Sequence, residues 1–408
     1  MKKPELLAPA GNLSKLKTAI QYGADAVYAG GETFSLRAAA DNFSTEELKR
    51  GIDFAKSRGK KVYVAANVIM KNNDIESLYS FAKNVYDLGA DSIILSDLGA
   101  FDVVKSAAPN LKIHISTQAN TTNFASANAW HKLGASRVVI SREISGEGLR
   151  HIRKNTDPSL EIEVFVHGAM CISYSGRCLI SSYLTGRDAN YGECAHPCRW
   201  KYYLMEEKRP GQYMPIIEDD EGSFFFNSKD LCLIEFIPQL IDTGVDSFKI
   251  EGRIKSEYYV ATVVKAYREE IDRYFENPDN YKLDPRQIEE LCKVSHREYS
   301  HGFWHGMPHS EGQIYESSSY IRDYDVVGVV LECGKDGDAL IEQRNKFSIG
   351  DELEVLRPKG PFVKTVVSDM ADEEGNSIQS APHPTMKVRM RLPQYVEPNS
   401  MLRKRRKI

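Results

Sequence analysis

Four stretches of the chain repeat one pattern: YGADAVYAG (22–30), LGADSIILSD (88–97), LGASRVVISRE (133–143) and TGVDSFKIEGR (243–253). Each follows an amphipathic segment and places Gly where a helix ends, then a short polar turn, then three or four apolar residues. Gly just past a helix, followed at once by a buried run, is the signature of an αβ loop. The apolar runs do not alternate with polar residues, as expected of parallel strands covered on both faces. Filling the gaps gives strand-like runs at 5–7, 26–29, 61–66, 92–96, 112–116, 137–141, 161–166 and 247–250. Helical patterns lie between most of them, for example at 45–58, 75–88 and 124–133. Eight strands alternating with helices predict an α/β fold, a (β/α)8 TIM-like barrel. The rival, a doubly wound open sheet, lacks the GxGxxG turn expected after its first strand.

The connection after the seventh run is abnormal. It takes about 60 residues where a few suffice, and five of the seven cysteines fall between Cys171 and Cys232. In a barrel, a loop after a strand lies on the C-terminal face, where active sites form. The barrel with this cysteine-rich insertion (168–230) accounts for residues 1–280, and residues 281–319 read as a helical linker. From 320 to 408 the texture changes to short alternating runs such as DVVGVVLEC, DELEVLRP and MKVRMRL, separated by GKDGD and EEGN. That reads as a small all-β barrel. It ends in a basic tail, RKRRK, which reads as a solvated end or a contact for RNA phosphates.

Hydrophobic residues make up 42% of the 408, charged residues 27%, and the net charge is −4. No global basic field announces nucleic acid, so any such contact needs a local patch. No run of about 18 apolar residues occurs, so no membrane span is expected. The opening MKKPELLAPAGN is too short in its apolar part, and too rich in proline, for a signal peptide. A cytoplasmic location follows as the expectation, where thiols stay reduced. The cysteines then point to metal or redox chemistry rather than disulfides.

Their spacing is Cys171-x6-Cys178-x15-Cys194-x3-Cys198-x33-Cys232. Buried small hydrophobes suit the isolated Cys292 and Cys333, but the cluster's neighbours are Gly, Ser, Arg, His and Pro. Zinc and iron–sulfur both need about four thiolates. No CxxC pair of the zinc-knuckle kind is present, and a position over a barrel mouth favours iron–sulfur. Cys171, Cys178, Cys194 and Cys198 share one short insertion and form the expected ligand set. Cys232, in NSKDLC, stands at what reads as a helix start; it is a spare, or it displaces Cys198.

EVFVHGAMCISYSGRCLIS (163–181) resembles the signature of the collagenase-like peptidase family U32: Glu, Phe two later, Gly-small-apolar-Cys, then Gly-x-Cys and Ser. LLAPAGN, ADAVYAGG, SREIS, TGRDANYGECAHPCRW, NSKDLC and KIEGR are similar to the same family, so the resemblance covers nearly the whole chain. It implies one of two activities. Some members are described as collagenases without an established catalytic type. Others are oxygen-independent hydroxylases with a [4Fe–4S] cluster on four cysteines, acting on quinone precursors or on RNA. The chain most resembles the tRNA branch, which implies a tRNA partner, 5-hydroxyuridine at the wobble position, and prephenate as oxygen donor and co-substrate. By position, Cys171, Cys178, Cys194 and Cys198 fall where relatives place cluster ligands, Cys198 being the position at which relatives differ. A collagenase-like peptidase, a hydroxylase of quinone precursors or of another RNA, and a zinc-stabilised RNA-binding module remain the alternatives.

The residues offer a peptidase little. There is no HExxH and no GxSxG elbow, and His296 and His301 miss the i, i+4 spacing of a zinc site. The barrel instead predicts which polar residues crown the strands: Glu5, Asn67, Asp97, Gln118, Asn120, Arg142, Glu143, His167, Glu251 and Arg253. His167, Glu251 and Arg253 are the catalytic candidates. A dicarboxylate donor calls for guanidinium partners, which makes Arg142, Arg177 and Arg187 substrate-binding candidates beside Gln118. Trp200, within RWKYY, is a stacking candidate for an extruded base.

Overall fold

The computed structural model describes residues 2–31, 34, 42–171, 179–187, 194–200, 203–204, 214–215, 227–308, 313–314 and 320–406. Eight parallel strands form a closed ring: β1 (Glu5–Ala10), β2 (Ala26–Gly30), β3 (Lys61–Ala65), β4 (Ser92–Leu95), β5 (Lys112–Ile115), β6 (Arg137–Val139), β7 (Glu161–Ala169) and β8 (Ser247–Ile250). Closure is made by β8, which pairs Ser247 with Glu5 on one side and with Glu163 on the other. The intervening helices are α1 (Leu13–Gln21), α2 (Thr45–Lys56), α3 (Asn72–Asp87), α4 (Leu98–Ala107), α5 (Phe124–Leu133), α6 (Gly146–Asn155), α7 (Ile237–Asp242) and α8 (Glu257–Glu276). The predicted barrel is therefore present.

The repeated motif has a physical job. Its glycine takes positive φ in all four copies, between +79° and +114°, which turns each helix end into the next strand. Two residues on, the Asp of three copies latches a neighbouring strand. Asp25 accepts from Leu6 N at 3.1 Å, Asp91 from Val62 N at 2.8 Å and Asp246 from Ile162 N at 3.0 Å. At the opposite end, side-chain N-caps start the helices: Asn12, Ser44, Asp97, Asn123, Ser145 and Ser256 each accept an amide of the first turn.

Beyond β7 the sheet continues sideways. Asp230–Cys232 is a short strand antiparallel to the end of β7, with Cys232 opposite His167, and Tyr299–Ser300 pairs with it in turn. NSKDLC is thus strand rather than the helix start its Ser and Asp suggested. Its amides are taken by β7 and by the segment after α9 (Pro285–Cys292).

The C-terminal region is an open six-stranded antiparallel sheet among the described residues: β9 (Tyr324–Cys333), β10 (Asp338–Gln343), β11 (Glu352–Leu356), β12 (Val363–Val366), β13 (Lys387–Arg391) and β14 (Met401–Arg405), in the order β12-β11-β14-β9-β10-β13. It curls into a half-barrel over its own aliphatic core, including Val330, Ile341, Val355 and Leu402. The basic tail is not a loose end. Met401–Arg405 is an inner strand, and the Arg403 side chain is 0% exposed. The half-barrel is seated firmly on the barrel's flank. Tyr22 Oη donates to the Leu356 and Asn399 carbonyls (3.1 and 3.0 Å), and Lys265 Nζ donates to the Arg357 and Gly360 carbonyls (2.7 and 2.5 Å). No helix among the described residues is long and apolar enough to cross a membrane.

Candidate active site at the barrel mouth

The lumen beneath the mouth is charged. Arg137, at the start of β6 and 2% exposed, donates to Glu5 (2.7 Å), Glu163 (2.8 Å) and Glu161 (2.6 Å). Lys249 on β8 donates to the other Glu163 oxygen at 2.7 Å and lies 4.6 Å from the centre of the Tyr28 ring. Burial alone raises a carboxylate's pKa, but at Glu5 the charge and hydrogen bonds of Arg137 outweigh it and the net shift is downward. His114, hydrogen-bonded to Ser92 Oγ at 3.2 Å, is held well below the usual imidazole range, first by burial and then by Arg137 and Lys249. The sequence reading gave Arg137 and Glu163 no role in the site and left Lys249 open between a functional and a packed side chain. A charge inside a strand that is otherwise apolar on both faces was the available signal. Glu5, expected at the crown, begins β1 and so lies at the opposite end of the lumen. Its partners are Arg137 and Tyr63, whose hydroxyl donates to it at 2.7 Å.

At the mouth, strand ends β3 to β7 join in a polar rim. Asn67 Nδ2 donates to Ser116 Oγ (3.2 Å), Ser96 Oγ to the Asn67 carbonyl (2.9 Å), Ser141 N to the Thr121 carbonyl (3.0 Å), and Arg142 Nη1 to the Ala169 carbonyl (2.7 Å). The Arg142 guanidinium also sits 4.9 Å from the Phe165 ring centre. Glu143 accepts from Ser141 Oγ. Asp97 is an N-cap, accepting from Ala100 N. Several rim oxygens are buried with no partner among the described residues: Asn67 Oδ1, Thr117 Oγ1, Gln118 Oε1, Asn120 Oδ1 and Thr121 Oγ1. Each such atom costs about 1–3 kcal/mol if nothing donates to it, so the set is expensive unless filled.

The β7–β8 side of the mouth is closed by backbone. Gly168, at φ +113°, has no room for a Cβ, which would lie 2.7 Å from the Glu251 carbonyl oxygen. Glu251 and Arg253, the two catalytic candidates on this side, are both buried. His167, the third, is 1% exposed and enclosed by Tyr259, Tyr267 and Tyr299, with ring centres 6.1, 5.5 and 5.2 Å away. Burial, then the His296 and Lys255 charges, push its pKa down to about 3, so the ring is neutral. Its enclosure between β7 and α8 puts it away from the opening where the sequence reading had placed an acid–base group.

Of the cysteine set, Cys171, Cys194 and Cys198 are half-buried and unbridged, while Cys178 and Arg177 lie outside the described residues. Among the described residues, no three His, Cys, Asp or Glu side chains converge in metal-ligand geometry. Cys194 Sγ accepts the His196 amide at 3.4 Å. Cys232 differs. Burial pushes its thiol up to about 12, and it packs 4.0 Å from Tyr267 Oη. Arg187 and Trp200 are exposed, Trp200 at 47%.

Two family models cover the chain: peptidase family U32 over residues 11–314 and the peptidase family U32 C-terminal domain over 322–403. The tRNA hydroxylation protein P1 of Bacillus subtilis is 41% identical over 404 residues, spanning 99% of this chain and 95% of its own length. The tRNA hydroxylation protein P of Escherichia coli is 37% identical, spanning 98% and 96%. The 23S rRNA 5-hydroxycytidine C2501 synthase of Escherichia coli is 35% identical, spanning 67% of this chain and 40% of its own. Matched in both its barrel and its half-barrel, the chain belongs to peptidase family U32.

Proposed function

We propose that the chain is a cytoplasmic enzyme that hydroxylates tRNA without molecular oxygen, forming 5-hydroxyuridine at the wobble position with a [4Fe–4S] cluster and prephenate as oxygen donor. One conjunction supports this reading. Unbridged thiols lie in an oversized connection that leaves the C-terminal end of β7, in a chain similar from end to end to proteins named for tRNA hydroxylation.

Cys171, Cys178, Cys194 and Cys198 would hold the cluster. The donor set fits: loop thiols that are not sealed in the core, one already accepting a peptide N–H. Cys232, on the strand paired with the end of β7 and packed against Tyr267, stands apart from this loop set and leaves the fourth place to Cys198. Once bound, the cluster would supply electrons or a Lewis-acid site. Arg142, the rim's guanidinium, is the group for a carboxylate of the donor. The half-barrel offers the RNA a cavity of about 1220 Å³ whose lining includes Lys364, Arg391 and Arg405, none with an ion pair among the described residues.

A peptidase reading finds no Ser–His or Cys–His side-chain pair in contact at the mouth among the described residues. Ser92 and His114 are in contact, but both are sealed in the lumen. Ser159 Oγ and His131 Nε2, 3.1 Å apart, lie just before β7, at the closed end of the barrel.

The deciding experiment is anaerobic purification of the full chain, followed by iron analysis, a visible spectrum and hydroxylation of tRNA. Cys171→Ala should lose iron and hydroxylation together, while Cys232→Ser keeps its iron. Full iron and full hydroxylation in Cys171→Ala would overturn the assignment.

A further inference from the structure

The buried oxygens without partners are not scattered along the rim. Four of the five residues from Thr117 to Thr121 carry one, and the fifth atom of the set, on Asn67, is linked to this loop through Ser116. Thr121 is 1% exposed, so its hydroxyl is not waiting for bulk water. The orientation of one amide is fixed by chemistry. Asn120 Nδ2 donates to the Gln118 backbone carbonyl at 3.2 Å, and that carbonyl can only accept, so Asn120 Oδ1 is committed as an acceptor. Asn120 is also held at φ +51°, a left-handed conformation that the neighbouring 3₁₀ turn (Thr117–Ala119) imposes.

What would satisfy this crown is constrained. Amide carbonyl oxygens need N–H or O–H donors and repel carboxylates, so this is not the seat of an anionic co-substrate. The ligand part that fits is neutral and rich in donors. Uridine has both kinds: an imide N3–H beside a carbonyl, and a ribose 2′-hydroxyl. An amide side chain meets an imide edge bidentately, its oxygen accepting N3–H and its nitrogen donating to the adjacent carbonyl. The crown also adjoins Arg142, one residue past Ser141, whose amide bonds Thr121. A base on the β3/β5 side and a carboxylate on the neighbouring β6 side would then lie next to each other at the mouth.

Building on the reading of the chain as a uridine hydroxylase, we infer that the end of β3 and the loop after β5 form the nucleoside seat. Gln118 reads the imide edge of the extruded base, and Asn120, supported by Asn67, takes a ribose hydroxyl. Gln118 and Asn120 are specificity-determining residues, and the cysteine loop does not select the base.

The test pairs protein changes with changes in the RNA. The full-length protein is titrated with an anticodon stem-loop carrying uridine, N3-methyluridine or 2′-deoxyuridine at the wobble position. Wild type should bind the uridine form about 10- to 100-fold more tightly than the N3-methyl form. Gln118→Met, nearly the same size, should bind uridine as weakly as wild type binds N3-methyluridine, and should lose nothing further on methylation. Asn120→Ala should be coupled in the same way to loss of the 2′-hydroxyl and not to N3-methylation. A wild type that binds all three RNAs equally overturns the seat, as does Gln118→Met with undiminished discrimination. The wild-type comparison stands even where a variant fails to fold. Discrimination in binding without any hydroxylated product in the anaerobic assay would keep the seat and reject the proposed chemistry.

Discussion

Two arginines, Arg137 and Arg403, are among the largest fully buried side chains of the molecule, and they do different work. Arg137 stands in the barrel lumen between Glu5, Glu161 and Glu163. Arg403 stands in the seam between half-barrel and barrel, 2.7 Å from both Glu290 and Glu354 and 3.2 Å from Tyr258 Oη. The lumen has no alternative cation for Glu5 apart from exposed Lys61, whereas Lys293 reaches both seam carboxylates at 2.8 and 2.9 Å. Arg137 is therefore the one buried cation on Glu5 among the described residues, with Lys249 confined to Glu163, while both seam carboxylates share both of their cations. A TIM-type lumen is ordinarily filled by branched apolar residues. Here the apolar lumen group is small, Leu7, Ala26, Tyr28, Tyr63 and Ile94, and ion pairs fill the rest.

The largest effect is expected at Arg137. Arg137→Met removes the cation that Glu5 and Glu163 share, leaving Glu163 to Lys249 and Glu5 to the exposed Lys61, and breaking a buried pair from one side costs about 3–5 kcal/mol. Thermal unfolding should show a large drop in midpoint, or the chain should fail to accumulate in soluble form. Adding Glu5→Gln should restore part of the loss, because that buried carboxylate is gone while Glu163 keeps its pair with Lys249. If Arg137→Met alone were neutral, the lumen network would be decoration and the contrast with the seam would collapse.

Arg403→Met should cost less, about 1.5–3 kcal/mol, the range for hydrogen bonds to charged groups, since Lys293 remains with both carboxylates. Its signature is in the cooperativity. Tyr22, Lys265 and Arg403 tie the half-barrel to α1 and α8, so the wild type should melt in one calorimetric transition. Weakening the seam should separate the half-barrel's transition from the barrel's. A single transition, shifted but not split, would mean that the apolar part of the seam, with Leu356 and Met401 in the barrel's own core cluster, is enough to couple them.

How far these roles were legible in the sequence differs between the same two regions. The barrel was readable because the GAD repeat carries its own geometry: positive φ at Gly, a latch at Asp, a buried run after. Arg137 was read as the start of a strand and no more, since nothing local says that Glu5 and Glu163, distant along the chain, converge on it. Of the two readings of RKRRK, the solvated end does not hold; five basic residues in a row invite it, and that Arg403 lies on an inner strand depends on Glu290 and Glu354 arriving from elsewhere. At the mouth, Gln118, Asn120 and Asn67 were found by asking which polar residues follow strands. Thr117 and Thr121 were passed over, although TQANTT directly after a strand is itself unusual. His167 was assigned to the mouth by the same rule, which fails where β7 runs on to pair with Asp230–Cys232 and carries the ring against α8.

The smallest expected effect concerns acid. His114 in the lumen and His167 behind it are both buried and neutral, their pKa values lowered first by burial. In the unfolded chain each titrates near the ordinary value of 6.5. Below that pH the unfolded state binds protons that the native state refuses, so the stability these residues confer is complete above pH 6.5 and falls as pH drops. Each histidine contributes a slope of about 1.4 kcal/mol per pH unit once the unfolded form is protonated. Glu5 in the lumen and Glu290 in the seam have lowered pKa values, and their ordinary value is 4.5. Their contributions survive until the pH falls below that range. Between pH 6.5 and 4.5 the barrel should thus weaken through these two histidines while the seam carboxylates hold. His114→Gln, which keeps a hydrogen-bonding group beside Ser92, should flatten the loss between pH 7.5 and 5.5 by about 1 kcal/mol, read as the change in unfolding midpoint at the two pH values. An undiminished slope in that variant would mean that His114 gains its proton within the fold, and that the lumen tolerates a third cation beside Arg137 and Lys249.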